Sequence, residues 1–172
     1  MSFPKNKLSA NYRNLFAIIF ISFCAENVIA QTKFEPLEDY LSSRPKWTED
    51  NSEVIYVGLR CASLYWQIGA YFNNYGSSTE HTKTVEMMRE RGLSNFTVAV
   101  FFGLAESGGN SPVEAFRIRS RNLSNIYAGD IEYNKSVNNN VFSGYIKRDI
   151  DFCNQRLDEV QRTEKLILKS KK

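Results

Sequence analysis

Residues 54–72 read VIYVGLRCASLYWQIGAYF, and the spacing of the apolar side chains in this stretch decides the fold class. The apolar residues recur every three or four positions, and at 100° per residue they fall within an arc of about 80°. This periodicity predicts an amphipathic helix that buries Cys61 in its apolar stripe. The stripe consists of Val54, Val57, Cys61, Leu64, Ile68 and Phe72.

A second stripe with the same spacing surrounds Cys153 and consists of Phe142, Ile146, Ile150, Cys153, Leu157 and Val160. Two such stripes that face one core bring the two sulfur atoms within bonding distance, so we predict a Cys61–Cys153 disulfide. The cysteines are 92 residues apart. Closing a loop of that length stabilises a fold by roughly 4–5 kcal/mol in chain-entropy estimates. The alternative is two free thiols that pack as small apolar residues.

Residues 1–30 predict a secretory signal peptide rather than folded structure. Basic side chains precede an apolar run, Leu15–Ala25, which is too short for the roughly 20 residues of a membrane-spanning helix. Val28–Ala30 suit a cleavage site, so we expect the mature chain to begin at Gln31. Cleavage removes Cys24 and leaves two cysteines, as expected for one bridge in an exported protein. The alternative is an uncleaved N-terminal anchor.

The mature chain, residues 31–172, predicts a single helical domain: an all-α bundle of four to five helices. Residues 31–47 are expected to form an irregular N-terminal segment with room for one or two turns of helix at Glu35–Ser42. The residues Phe96–Phe102 also suit a strand, but we predict helix because no second strand is present to pair with it. Gly92 is expected to end the helix before it. The predicted helices cover residues 51–74, 77–91, 94–106, 111–133 and 141–169.

The composition, 42% hydrophobic and 24% charged, fits an ordinary globular domain. A single His and three Cys argue against a His/Cys metal site, and no cofactor motif is present. Of the net charge of +3, the leader contributes +2 and a basic tail, residues 162–172, contributes +4, which leaves −3 for residues 31–161. The acidic body between them offers no basic footprint for nucleic acid. We also expect no transmembrane segment in the mature chain.

Four aromatic residues are candidates for a partner-binding surface because Tyr and Trp combine a large contact area with a polar tip. They are Trp47, Tyr65, Trp66 and Tyr71. The alternative is that the first long helix is buried on most sides, so that these rings belong to the core.

Residues 104–110 (LAESGGN) resemble the Glu-Ser motif of lytic transglycosylases and related lysozyme-like enzymes. The resemblance implies that Glu106 ends a helix and acts as the general acid toward a glycosidic bond, a role that needs a partly desolvated carboxyl. The Gly-Leu-Met/Phe-Gln motif of that family does not follow. The alternative is a glycine-rich helix end.

These patterns predict an exported protein, periplasmic or secreted, that is not an enzyme and binds a protein partner or a cell-envelope component. The support is the absence of a nucleophile–base pair, a metal cluster or a phosphate loop from the sequence. Two alternatives stay open. One is a glycan-cleaving enzyme that uses Glu106, and the other is a structural envelope-associated protein held by its basic C-terminal tail.

Overall fold

The structure, a computed structural model, describes residues 34–75 and 78–170 of the chain. Within them it contains helices and turns and no strand, so the prediction of an all-α bundle is confirmed. The predicted signal peptide, residues 1–30, lies outside the described residues. The elements are α1 (Leu37–Ser42), a 3-10 turn (Trp47–Glu49), α2 (Asn51–Tyr75), α3 (Thr79–Glu106), α4 (Val113–Asn138), α5 (Tyr145–Gln155) and α6 (Leu157–Ser170).

Helix α2 lies at the centre of the bundle. It starts where the sequence predicts, because the Asp50 carboxylate accepts a hydrogen bond from the backbone N–H of Ser52 at 2.9 Å. Every residue from Val57 to Tyr65 is buried, including the polar ones. Helices α3, α4 and α5 all pack against it, and α6 packs on α3. The middle of this helix is therefore buried on most sides, which was the alternative to a partner-binding surface on its aromatic residues.

The predicted helix end at Gly92 is wrong, because α3 continues from Thr79 to Glu106. Gly92 serves packing instead: a Cβ there would lie 2.3 Å from the indole Nε1 of Trp66. The glycine lets the Trp66 ring lie against the α3 backbone. The same helix includes Phe96–Phe102, so the prediction of helix for that stretch is confirmed.

The predicted last helix, residues 141–169, is also corrected. Helix α5 begins at Tyr145, after Gly144 with φ of 60°, and ends at Gln155, so the chain turns at Arg156 before α6. Glycine adopts a positive φ without the steric strain that other residues incur, so the chain turns at Gly144 and the helix begins four residues later than predicted.

The Cys61–Cys153 disulfide is confirmed and joins α2 to α5, with a Cα–Cα distance of 5.7 Å. Both cysteines are 2% exposed, as the two apolar stripes predict. The N-terminal segment takes part in the same core, because Leu37 and Leu41 on α1 are buried. The described residues from Glu35 onward belong to one compact unit.

Candidate binding pocket beside the disulfide

A pocket of about 120 Å³ opens between the 3-10 turn, α2, α3 and α6. Its inner wall is apolar, and Cys61 of the disulfide forms part of it. Gly58 allows this wall to form, because a Cβ there would lie 3.1 Å from both the Ala99 Cβ and the Asn95 carbonyl oxygen. The close approach of α2 and α3 follows from that glycine. The apolar lining residues are Val54, Val57, Gly58, Cys61, Val98, Phe102 and Val160.

The rim of the pocket carries Trp47, which the sequence predicts as a partner-binding residue. Its ring is held between two neighbours: the Phe152 ring at 6.3 Å and the Arg156 guanidinium at 4.3 Å from the ring centroid. Arg156 also forms an ion pair with Glu159 at 2.8 Å. A cation over an indole face contributes about 0.5–1 kcal/mol at exposed sites. These contacts hold one side of the rim in place.

Polar side chains complete the opening. Asn95, which is 4% exposed, donates a hydrogen bond from Nδ2 to the Arg91 carbonyl at 2.9 Å. Thr48, Glu159 and Thr163 add polar atoms at the edge. The pocket thus has an apolar interior and a polar border, the arrangement of sites that bury an apolar group from a partner.

A buried ion pair fixes α1 and α5 to α2. The Arg60 Nη2 lies 2.7 Å from the Asp149 Oδ2, and both side chains are at most 1% exposed. Tyr127 donates to the same carboxylate at 2.5 Å, and the Leu37 backbone N–H donates to Asp149 Oδ1 at 2.6 Å. Arg60 also donates to the Glu35 carbonyl.

The electrostatics of this network keep its charges in place. Burial opposes the charge on Arg60, but Tyr127 and Asp149 together raise the pKa of the guanidinium above its ordinary value. Burial, and then the Asp149 carboxylate, raise the pKa of Tyr127 well above 10. The network therefore stays an ion pair with a neutral tyrosine. Its atoms are sealed from solvent, so its role is to position the helices.

The structure distributes the four predicted aromatic residues over separate places. Only Trp47 lines the pocket at the disulfide. Tyr65 is fully buried, and its hydroxyl donates to Asn154 Oδ1 at 2.9 Å, so it belongs to the core. Trp66 packs on Phe96 and borders a second, open depression. Tyr71 contacts a cluster of rings formed by Phe72, Tyr75 and Phe142.

The motif around Glu106 forms the end of α3. Gly108 takes a φ of 62°, and the Gly109 N–H donates to the Leu104 carbonyl at 3.1 Å, which is the hydrogen bond of a Schellman cap. Glu106 itself is exposed and lines neither of the two pockets. The helix cap accounts for the Gly-Gly sequence. The Glu106 carboxyl is exposed to solvent, whereas a general acid needs a partly desolvated carboxyl.

The basic tail is part of the last helix as far as residue 170. Ile167 is buried, and Ser94 donates to the Glu164 carboxylate at 2.7 Å, so α6 is tied to α3. Arg162, Lys165 and Lys169 lie on its exposed side. Truncation at residue 162 would therefore remove packed structure along with the charges.

Sequence reasoning missed most of the pocket. Arg156, Glu159 and Thr163 line the pocket together with Trp47 although they are distant from it in sequence, and no local signal marks that proximity. Among the residues that the structure describes, no cluster of His, Cys, Asp or Glu is arranged to bind a metal ion. No helix in this part of the chain is both long and apolar enough to cross a bilayer.

Comparison with protein-family models, with curated proteins and with solved structures found no match. Function is therefore inferred from the chain's own geometry.

Proposed function

We propose that the chain is an exported binding protein whose partner is another protein, and that the partner inserts one apolar side chain into the pocket beside Trp47. The observation that carries the proposal is the pocket itself: an apolar wall backed by a disulfide, with a polar rim. The role is non-catalytic, and the contacts described above supply a surface for recognition.

The size of the pocket supports a single side chain as the occupant. Its volume is about 120 Å³. An engineered apolar cavity of about 150 Å³ binds benzene, so a space of this size suits a leucine or phenylalanine side chain. Burying such a side chain contributes about 1.5–3 kcal/mol, which is the contribution of a typical anchor residue in an interface.

A protein partner fits better than an envelope glycan. A sugar ring needs an open aromatic face or a row of hydrogen-bonding groups. The face of Trp47 carries the Arg156 guanidinium at 4.3 Å, and the inner wall is apolar. An apolar side chain, by contrast, leaves the stacked pair intact and buries no unsatisfied polar group.

Export is supported by two features that arise independently. The first thirty residues have the pattern of a signal peptide. The Cys61–Cys153 disulfide is a bond that persists in oxidising compartments such as the periplasm or the cell exterior. We therefore propose that the mature protein begins at Gln31 and acts outside the cytosol.

Site-specific photo-crosslinking in the native envelope tests the binding site. A photoreactive phenylalanine at Thr48, on the exposed rim, should form one defined adduct. The same group at Lys83, exposed on α3 and remote in sequence from every lining residue, is the matched control. Peptide mapping of the adduct should place the partner's crosslink next to an apolar side chain.

A second variant separates pocket binding from incidental capture. Thr163→Phe fills the opening from α6 and should abolish the Thr48 adduct, whereas Lys165→Phe, exposed on the same helix, should leave it unchanged. Circular dichroism of both variants checks that the fold is intact. An adduct that survives Thr163→Phe, or that forms equally from Lys83, would refute the pocket as the binding site.

A further inference from the structure

The outer face of α4 carries an apolar stripe that nothing in the described fold covers. Helix α4 packs against α2 through its inner side, where Phe116, Ser120, Tyr127 and Ile131 are buried. On the opposite side a second set of positions recurs at steps of three or four residues. These exposed positions are Ala115, Ile118, Asn122, Ile126, Gly129, Tyr133 and Val137.

The spacing keeps this stripe on one face over the whole helix. The steps repeat as three, four, four, which is an 11-residue period, so the stripe runs nearly straight along the axis. At 100° per residue the seven positions fall within an arc of about 100°, and from Ala115 to Val137 they extend for about 33 Å. Tyr133 is 63% exposed and Val137 is 58% exposed, so the large apolar members face solvent.

The stripe is complementary to itself when two copies run antiparallel. A twofold axis at Ile126 places Ile126 against its own counterpart. Ala115 then lies level with Val137 of the second copy, and Ile118 and Asn122 lie within one residue, about 1.5 Å, of the levels of Tyr133 and Gly129. Ala115 leaves room for Val137 and Gly129 leaves room for Asn122, whereas Ile126 meets Ile126 and Ile118 meets Tyr133 through apolar surface on both sides, in a pairing that is the same for both copies as an isologous interface requires. The same register follows from either end of the helix.

The charges beside the stripe obey the same symmetry. The N-terminal half of α4 carries Arg119 and Arg121, which have no salt-bridge partner among residues 34–75 and 78–170. The C-terminal half carries Asp130, which accepts a hydrogen bond from the Tyr145 hydroxyl, and Glu132, which accepts one from the Tyr75 hydroxyl at 3.2 Å. In the antiparallel register Arg119 lies about 4.5 Å along the axis from the level of Asp130 of the second copy on one flank, and Arg121 lies about 1.5 Å from the level of Glu132 on the other, offsets that long side chains can span. A parallel register would set like charges level with each other.

Gly129 is an independent sign of close approach. It lies in the middle of a 26-residue helix, where glycine is unfavourable relative to alanine. A Cβ at Gly129 would meet nothing within 4 Å, so packing within the monomer does not require the glycine. A second helix packed at Asn122 and Gly129 would require the glycine, because the missing side chain lets the two helix backbones come together.

We propose that the protein forms a homodimer through antiparallel pairing of the outer faces of two α4 helices, with the twofold axis at Ile126. No residue of α4 lines the pocket at Trp47, so both pockets stay open in the dimer. The dimer is therefore a separate claim from the proposed function. A two-pocket assembly gains avidity toward a repeated or dimeric partner.

Cysteine crosslinking tests the register directly, on the protein in the form in which cells accumulate it. Ile126→Cys sets two thiols together at the axis and should give a covalent dimer with oxidised glutathione, seen on a non-reducing gel. Ala115→Cys is the matched control, because its two copies lie at opposite ends of the interface and should stay uncrosslinked. No crosslink at residue 126, or equal crosslinking at both sites, would overturn the proposal.

Charge exchange tests the interface without added thiols. Arg121→Glu and Glu132→Arg should each raise the dimer dissociation constant roughly tenfold or more, measured by sedimentation velocity, because each brings like charges together twice. The double variant should return it to within about threefold of the original value. A wild-type protein that stays monomeric at all concentrations, or a double variant weaker than either single one, would contradict the antiparallel pairing.

Discussion

Arg60 on α2 and Asp149 on α5 form an ion pair that lies directly beside the disulfide, because Cys61 follows Arg60 and Cys153 lies one turn after Asp149. A covalent bond and a buried electrostatic contact thus close the same helix interface. Cys61 of this interface also lines the pocket at Trp47, so the interface between α2 and α5 and the pocket share one residue.

The first prediction concerns this ion pair. Asp149→Leu leaves the Arg60 guanidinium buried without its carboxylate and should lower the free energy of unfolding by about 3–5 kcal/mol. Adding Arg60→Met removes the stranded charge and should recover about 2 kcal/mol or more of that loss. Urea unfolding followed by circular dichroism measures both values. Strictly additive losses would show that the two groups do not act as a pair.

The second prediction concerns alkaline pH. Burial raises the pKa of Tyr65 to about 12, against 10 for an ordinary tyrosine. The folded state therefore holds this proton more tightly than the unfolded state does. The resulting contribution of Tyr65 to the free energy of unfolding is complete below pH 10 and is lost as pH rises toward 12. The slope is about 1.4 kcal/mol per pH unit.

Tyr65→Phe checks that contribution. It removes the hydrogen bond to Asn154 and should cost about 1 kcal/mol at neutral pH. The difference from the wild type should shrink between pH 10 and 12, because the variant has no proton to lose at this position. Denaturant unfolding of both proteins measures this difference. If the free energies of unfolding of the wild type and of Tyr65→Phe stay parallel between pH 10 and 12, the structure does not bury a protonated tyrosine at this position.

The third prediction compares two glycines in the middle of helices. Gly92→Ala pushes a methyl group into the Trp66 indole, with less than 3 Å available, and should destabilise the fold by about 1–3 kcal/mol. Gly129→Ala meets no atom within the monomer and should stabilise it by about 0.5–1 kcal/mol in dilute protein. Thermal unfolding compares the two. Equal shifts would mean that the Trp66 contact is not tight.

The fourth prediction concerns α6 and the basic tail. Ile167→Ala removes a buried side chain and should cost about 2–4 kcal/mol, whereas Leu166→Ala, at a site 68% exposed, should change stability by less than about 0.5 kcal/mol. Lys165→Gln with Lys169→Gln keeps the helix and removes charge. If that double variant leaves the envelope fraction while the wild type stays, the basic tail is the anchor and the pocket is not needed for localisation.

Much of the fold is readable from the sequence, because apolar periodicity reports which face of a helix is buried. The stripes around Cys61 and Cys153 depend only on local spacing, and helix α2 and the disulfide follow from them. The stripe around Cys153 did not give the helix bounds, because it includes Phe142, which precedes α5, and it crosses the break at Arg156. Gly92 misled the prediction, since a glycine that admits a neighbouring ring looks the same in sequence as one that ends a helix. The ring concerned, Trp66, lies on another helix.

The functional geometry was harder to predict because it depends on contacts between distant residues. Arg60 lies off the apolar stripe of α2 and looks like a solvent-facing residue until Asp149, 89 positions later, is placed beside it. The turn at Arg156 carries no glycine or proline, yet it brings Arg156 to Trp47. Of the four aromatic candidates, Trp47 is the one that lines the pocket at the disulfide, and its role in binding a partner stays a prediction. Tyr65 could not be distinguished from it by composition.

The most direct test of the account is the intact mass of the protein recovered from its native compartment, treated with an alkylating reagent before any reduction. We expect a chain that begins at Gln31 and carries no alkyl group, because Cys61 and Cys153 are bonded to each other. A chain that retains residues 1–30, or one that is alkylated at both cysteines, would contradict an exported fold closed between α2 and α5.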